Sequence, residues 1–381
     1  MARQLRILIT GGGTGGHVFP AIAIADAIKA LRPDAEFLFV GALGKMEMER
    51  VPQAGYAIEG LNIAGFQRGF SLNSILRNLS FPFKLFSSTQ KAKRIIRQFK
   101  PDVVVGTGGY ASGPVMRAAQ QKNIPTVIQE QNSYAGVTNR LLAKNASRIC
   151  VAYDGMEAYF PADRLVFTGN PVRQDILDLD KKRKEGLAYY NLSEKLKTVV
   201  VIGGSLGART LNRSLAEHTE TLAGHTEIQV LWQCGRFYEN EYSACATAQL
   251  PNVQLRAFID RMDLLYAAAD LIVSRAGALS ISELCLVGKP VILVPSPNVA
   301  EDHQTKNAMA LVEKNAARLV RDAEAVETLL PEVFKVLENE ALQFSLGENI
   351  RHLGKPKAAS LIAETVLELA GGSANPVKTE N

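Results

Sequence analysis

The feature that most constrains the fold is a unit that occurs twice: a short apolar strand, a glycine-rich turn, then a helix. Leu5-Arg6-Ile7-Leu8-Ile9-Thr10 runs into Gly11-Gly12-Gly13-Thr14-Gly15-Gly16-His17 and the helical stretch Ala21–Ile28. Thr198–Ile202 runs into Gly203-Gly204-Ser205-Leu206-Gly207 and the helical Ala208–Asn212. Glycines let backbone N–H groups approach an anion closely, and the partial positive charge of a helix N-terminus favours it. Two such units imply two nucleotide-style domains facing one cleft.

Length agrees, because 381 residues exceed the roughly 250–300 at which a single core stops growing. A net charge of +5 is too mild to imply nucleic acid. The cysteines Cys150, Cys234, Cys245 and Cys285 show no metal-ligand spacing and read as reduced, buried thiols. The N-terminus is already a strand without a secretory leader, and no run reaches the ~20 apolar residues that span a bilayer. The expectation is a protein kept inside the cell without a transmembrane anchor.

Strand candidates alternate with helices: Arg6–Thr10, Glu36–Val40, Val103–Gly106, Pro125–Gln129, Ser147–Val151 and Leu165–Thr168, then Thr198–Ile202, Ile228–Gln233, Val253–Ala257, Leu271–Ser274, Val291–Val294 and Ala317–Val320. Near-continuous apolar strands in that alternation predict an α/β chain of two doubly wound, Rossmann-like parallel sheets, with ligands beyond the carboxyl ends of the strands. The expected domains are residues 1–168 and 169–345, with Gly169-Asn170-Pro171 as a hinge. Residues 346–381 are a helix able to cap the second domain or cross back to the first, and a loose tail.

Gly11, Gly13 and Gly16 satisfy GxGxxG, but the second strand ends Phe39-Val40-Gly41-Ala42 without the acid that holds a nicotinamide ribose, and the Lys-Ser/Thr of a Walker loop is missing. His17, at the mouth of the turn, suits a general base, with hydrogen bonding to backbone as the alternative. Gly106–Pro114 and Gln129-Glu130-Gln131-Asn132 also follow strands, and their polar groups suit sugar hydroxyls or phosphate. Glu130 as a loop residue and Asn132 as a cap stay open. In Ser274–Glu283 small residues admit a phosphate to a helix start, while Glu283 lies farther along, placed for two ribose hydroxyls or as a solvated charge. His303 has no second ligand at metal spacing. Asp178-Leu179-Asp180 has a metal-binding DxD form but sits in a charged segment, so it reads as surface charge.

Gly60–Pro101 contains no acidic residue and mixes Arg68, Arg77, Lys84, Lys91, Lys93, Arg94, Arg97 and Lys100 with Phe66, Phe70, Leu79, Phe81, Phe83, Leu85 and Phe86. Basic plus aromatic is the signature of an anionic membrane surface rather than nucleic acid. Ile95, Ile96 and Phe99 read as the core face of the same helix.

GGTGGHVFP at Gly12–Pro20, GTGGYASGP at Gly106–Pro114, Glu130–Asn132 with Thr138-Asn139, GNPVR at Gly169–Arg173, GGSLGAR at Gly203–Arg209, FIDRM at Phe258–Met262, Arg275–Glu283 and Asp302–Ala308 together resemble the MurG family of peripheral membrane glycosyltransferases. The resemblance implies a GT-B fold and inverting transfer of N-acetylglucosamine from UDP-N-acetylglucosamine to the 4-OH of undecaprenyl-linked N-acetylmuramoyl pentapeptide, lipid I to lipid II, in peptidoglycan synthesis. It implies His17 as base with Glu130 in reserve. Donor contacts would come from Thr14, Gly15, Gly16, Asn132, Arg173, Ser205, Ile259 against uracil, Ala278, Leu279, Ser280, Ile281, Ser282, Glu283 on ribose, and Gln304 on the sugar. No metal or other cofactor is required, since helix N-termini and loop N–H groups can steady the leaving diphosphate. The implied location is the cytoplasmic face of the inner membrane, with other cell-wall synthesis proteins as candidate partners. Lys45–Arg50 departs from the family text. Two rivals remain: a UDP-N-acetylglucosamine 2-epimerase and a non-catalytic nucleotide-sugar or lipid-binding scaffold.

Overall fold

The computed structural model describes residues 4–63, 72–177, 179–204, 206–299 and 302–371. Phe66, Arg68, Phe70, Asp178 and Ser205 lie outside the described residues, as do the side chains of Arg77, Leu79 and Phe81.

The chain divides into two compact units, residues 1–172 with 357–381, and residues 173–356. The first holds a seven-stranded parallel sheet of β1 (Arg6–Thr10), β2 (Glu36–Ala42), β3 (Ile58–Leu61), β4 (Val103–Gly106), β5 (Thr126–Glu130), β6 (Arg148–Val151) and β7 (Leu165–Phe167), in the order β3-β2-β1-β4-β5-β6-β7. The second holds β8 (Lys197–Ile202), β9 (Ile228–Gln233), β10 (Val253–Arg256), β11 (Leu271–Ser274), β12 (Val291–Leu293) and β13 (Arg318–Leu319), in the order β10-β9-β8-β11-β12-β13. Among the described residues the strand that sequence reasoning missed is β3, whose polar Glu59 and small Gly60 hide its apolar pattern at the sheet edge.

Strand periodicity explains the layers. On β1, Ile7 and Ile9 join one core with the helix Gly15–Leu31, while Leu8 joins the other with the helices Leu72–Phe99 and Ser112–Gln120. Successive side chains point to opposite faces, so a strand covered on both must be apolar throughout. The final helix, Ala358–Leu369, packs on the Gly15–Leu31 helix and buries Ile362, Ala363, Val366 and Leu367 in that first-unit core. The chain returns at Lys357 rather than at residue 346, because the helix Glu340–His352 packs in the second unit against the helices Ala278–Val287 and Ala325–Leu337.

Gly169 has φ +85, and Asn170 is fastened within the first unit by donating to Gln131 O at 3.0 Å and accepting from Gln129 Nε2 at 3.0 Å. All four cysteines are free thiols. Burial pushes the Cys150 thiol up to about 12, whereas Cys245 is only partly buried, contrary to expectation. Among the described residues no helix is long and apolar enough to cross a membrane.

In a doubly wound sheet ligands sit where the strand order reverses. That point lies between β1 and β4, where Thr10 pairs with Gly106, and between β8 and β11, where Ile202 pairs with Ser274. The glycine loops follow these four strands.

Candidate active site

In the first unit the two loops interlock, through the Thr107 side chain at Gly11 and through backbone at Gly109. A Cβ on Gly11 would stand 1.9 Å from Thr107 Oγ1, and one on Gly109 (φ +85) 2.2 Å from Gly12 O. Thr107 Oγ1 donates to His17 O at 2.8 Å. The helix begins at Gly15, earlier than the apolar pattern suggests, with Thr14 extended at its N-cap. Gly15, Gly16 and His17 therefore form a first helical turn. Among the described residues no acceptor meets the N–H of Gly15 or Gly16, as in the first turn of any helix. The Gly13 N–H, by contrast, donates to Glu47 Oε2 at 3.0 Å, so it is not part of the expected anion cradle.

His17 is held by its ring. Nδ1 lies 2.9 Å from Thr107 O and 3.2 Å from Gln131 Oε1. Both partners are acceptors, so Nδ1 carries the proton and Nε2 offers a lone pair. Burial pushes the His17 pKa below its ordinary 6.5, opposed by Glu130, the Thr107 carbonyl, Gln131 and Glu47. The neutral ring is thus favoured at neutral pH, with nearby carboxylates ready to stabilise a proton once accepted.

Glu130 is buried, and its two oxygens take four N–H bonds: Asn132 N at 3.1 Å and Asn132 Nδ2 at 3.3 Å on one, Gly136 N and Asn139 Nδ2 at 2.9 Å on the other. A carboxylate so engaged fixes the loop after β5 and acts on His17 through charge. Asn132 leans on Glu130 and lies in the same unit as His17.

In the second unit the loop after β8 packs against the turn after β9. A Cβ on Gly207 (φ +84) would meet Cys234 O at 2.1 Å. After β11, Gly277 caps the helix Ala278–Val287. Along it Ala278 and Ile281 are buried, Leu279, Ser280 and Ser282 partly so, and Ser282 Oγ donates back to Ala278 O at 2.9 Å. Glu283 Oε1 accepts from Arg173 Nε at 3.0 Å and Oε2 from Tyr266 OH at 3.0 Å. The fold thus joins Arg173 and Glu283, far apart in sequence. Burial, then Glu283, pushes the Tyr266 hydroxyl well above its ordinary value, so it stays a donor to that carboxylate. Gln304 Oε1 accepts from Ala276 N at 3.2 Å and Ser296 N at 2.8 Å, which ties the loops after β11 and β12 together. Ile259 is buried in a turn braced by Arg261, whose Nε and Nη2 each donate at 2.9 Å to the buried Asp263, with Lys182 Nζ adding a third contact at 3.0 Å. Arg261, with Lys182, holds the Asp263 carboxyl well below the usual carboxylate range. Among the described residues no three His, Cys, Asp or Glu side chains converge as metal ligands.

Two family models match the chain: the glycosyltransferase family 28 N-terminal domain over residues 7–151 and its C-terminal domain over residues 198–364. A relative from Bacteroides fragilis, 54% identical over 96% of each chain, is a UDP-N-acetylglucosamine–N-acetylmuramyl-(pentapeptide) pyrophosphoryl-undecaprenol N-acetylglucosamine transferase. The crystal structure of Acinetobacter baumannii MurG matches with 31% identity and a TM-score of 0.74, covering 96% of this chain and 99% of that one. The chain belongs to the MurG family. Its two sheets form the GT-B fold of hexosyltransferases. A UDP-GlcNAc 2-epimerase from Neisseria meningitidis, covering 96% of this chain and 99% of its own at 14% identity and a TM-score of 0.65, shares that fold alone, and the epimerase reading is not favoured beside the MurG relationship.

Several groups that shape this MurG-family site escaped sequence reasoning. Glu47, Thr107, Gln131 and Tyr266 hold the loop, the His17 ring and the Glu283 carboxylate. Gln131 and Thr107 lie inside motifs already singled out. Glu47 and Tyr266 carry no local signal, since each meets its partner only through folding.

Proposed function

We propose that this protein transfers N-acetylglucosamine from UDP-N-acetylglucosamine to the 4-OH of undecaprenyl-linked N-acetylmuramoyl pentapeptide. The observation that carries the reading is the 54% identity, across 96% of both chains, to a relative whose name states that donor and acceptor. The acceptor oxygen bonds to the anomeric carbon, the bond from that carbon to the diphosphate breaks with its electron pair leaving on UDP, and His17 Nε2 takes the hydroxyl proton. The Nδ1 anchor on Thr107 O supports this assignment. Glu130, with both oxygens already accepting, supports the imidazolium by charge.

On the donor side, Glu283 is oriented by Arg173 and Tyr266 to receive two ribose hydroxyls, and Ile259 meets uracil. Ala278, Leu279, Ser280, Ile281 and Ser282, which open the helix after β11, meet the diphosphate at that helix's N-terminus, and Ser205 is a further donor contact. Gln304, its carbonyl engaged, offers its NH₂ to the sugar. Thr14, Gly15, Gly16 and Asn132 complete the polar surface around His17.

The helix Leu72–Phe99 supports peripheral attachment, and the cytoplasmic face of the inner membrane is the location this reading assigns. Phe83 and Phe86 are 80% and 67% exposed beside Lys84, while Ala92, Ile95 and Ile96 face the core. An exposed apolar pair in a basic segment without acids suits an anionic leaflet.

The test follows label from radioactive UDP-N-acetylglucosamine into a lipid-linked muramoyl pentapeptide. Transfer that His17→Ala abolishes supports the reading. Donor binding without transfer supports the scaffold, and acceptor-independent conversion of the sugar supports the epimerase. Sedimentation with anionic vesicles, lost on replacing Phe83 and Phe86 by Asp, tests the attachment.

A further inference from the structure

We propose that Glu47 is a positioning residue for this transfer: its carboxylate clamps the Gly12–Gly13 backbone and thereby sets the first turn of the Gly15–Leu31 helix, with His17, toward the acceptor hydroxyl. The inference rests on the transferase reading and deepens it.

Glu47 opens the short helix Glu47–Gln53 and is 0% exposed, which is rare for a charged side chain unless it is fully hydrogen-bonded. Its two oxygens are used separately. Oε1 accepts from the N–H of Ala42, the last residue of β2, at 2.9 Å, and Oε2 from Gly13 N at 3.0 Å. Gly13 lies in the loop at φ +90, where no ladder or helix takes its N–H. Without Glu47 the buried Ala42 N–H and the partly buried Gly13 N–H would both lose this acceptor.

The surrounding chain is shaped to admit this side chain. A Cβ on Gly12 would stand 2.1 Å from Glu47 Oε1, and one on Gly41 would stand 2.4 Å from Glu47 Cγ. Two glycines, Gly12 in the loop after β1 and Gly41 within β2, thus lack a Cβ on the side where Glu47 lies. Glu47 is what the missing side chain of Gly12 accommodates, and the Gly13 N–H is what it binds.

Two consequences follow for the reaction. A negative group beneath the loop repels a diphosphate from Gly12–Gly13, so this glycine loop presents a base to a neutral hydroxyl instead of cradling phosphate there. The same charge favours the protonated His17 ring, as Glu130 does from the loop after β5, while the Thr107 carbonyl and Gln131 hold Nδ1. Positioning and charge therefore act together on one imidazole.

Glu47→Gln keeps the size but puts an NH₂ donor where one acceptor oxygen stood, so it cannot satisfy both N–H groups. Folding is checked by UDP binding, which belongs to the other unit, and by the melting profile of the first. The expected result is wild-type UDP binding, a kcat for transfer down about tenfold to a hundredfold, a KM for the donor within about twofold, and an acid limb of the pH profile moved to lower pH. A merely structural role would lower the folded fraction and leave the acid limb in place. Transfer within about twofold of wild type, or an unmoved acid limb, overturns the proposal. If Glu47→Gln does not fold, Glu47→Asp, which keeps the charge but sets both oxygens one methylene farther back, should lower kcat about tenfold with the acid limb in place, and transfer within about twofold of wild type then overturns the proposal. Absence of transfer in the wild-type protein itself would instead defeat the transferase reading.

Discussion

Gly109→Ala tests the interlocked loops without touching a group that does chemistry. Gly109 has φ +85, and its Cβ would lie 2.2 Å from Gly12 O and 3.0 Å from Gly12 C. Ordinary contact begins at 3.4 Å, a shortfall of 1.2 Å against backbone on both sides. The left-handed conformation costs an alanine roughly 1–2 kcal/mol, and the overpacking a further ~1–3 kcal/mol. The first unit should therefore lose about 2–5 kcal/mol, which lowers its melting temperature by roughly 5–15 °C. Relief of the clash moves Gly12, and with it the turn that carries His17, by about an ångström, enough to cost on the order of a hundredfold in kcat. Gly113→Ala is the control, since its Cβ would meet Thr138 Cγ2 at an ordinary 3.6 Å. Calorimetric melting and label transfer are measured on both variants. Wild-type melting and wild-type kcat in Gly109→Ala would refute the argument that backbone contact between the loops sets the site.

Three further outcomes are expected. The acid limb of kcat/KM has its midpoint below 6.5, because burial disfavours protonated His17 and the base works only when neutral; His17 likewise contributes stability above that pH that is lost as pH falls through its folded value, and a limb above 6.5 would contradict the assignment. Arg173→Ala leaves Glu283 still accepting from Tyr266 and raises the KM for the donor about tenfold, with melting changed little because the pair is partly exposed; steady-state kinetics with varied donor checks it. A chain ended at Pro356 loses Ile362, Val366 and Leu367, each at most 1% exposed. At roughly 1.5–3 kcal/mol apiece this is ~5–9 kcal/mol, comparable with a whole domain's stability of about 5–15 kcal/mol, so calorimetry should find the transition of the first unit lost and that of the second retained.

Much of the architecture was legible in the sequence because parallel strands covered on both faces must be apolar throughout. Central strands such as β1, β4, β8 and β11 announce themselves that way, while β3, at the edge and carrying Glu59, does not. The strand–glycine–helix units mark the switch points because the chain must turn sharply there and backbone must approach backbone. Local sequence could not fix partners. Glu47 reads as one charge among several in Lys45–Arg50 until the fold brings it under Gly12 and Gly13, and Tyr266 reads as core until it meets Glu283. Glu130 reads in the sequence as a reserve base or a loop residue, and its four N–H partners appear only once the loop after β5 has folded around it. The tautomer of His17 was likewise decided by tertiary structure, since the Thr107 carbonyl that fixes it comes from another strand's end. Sequence by itself determines which segments must be buried and where the backbone must turn, because these are properties of short stretches. Which carboxylate faces which donor depends on distances between remote segments, and those exist only once the sheets have formed.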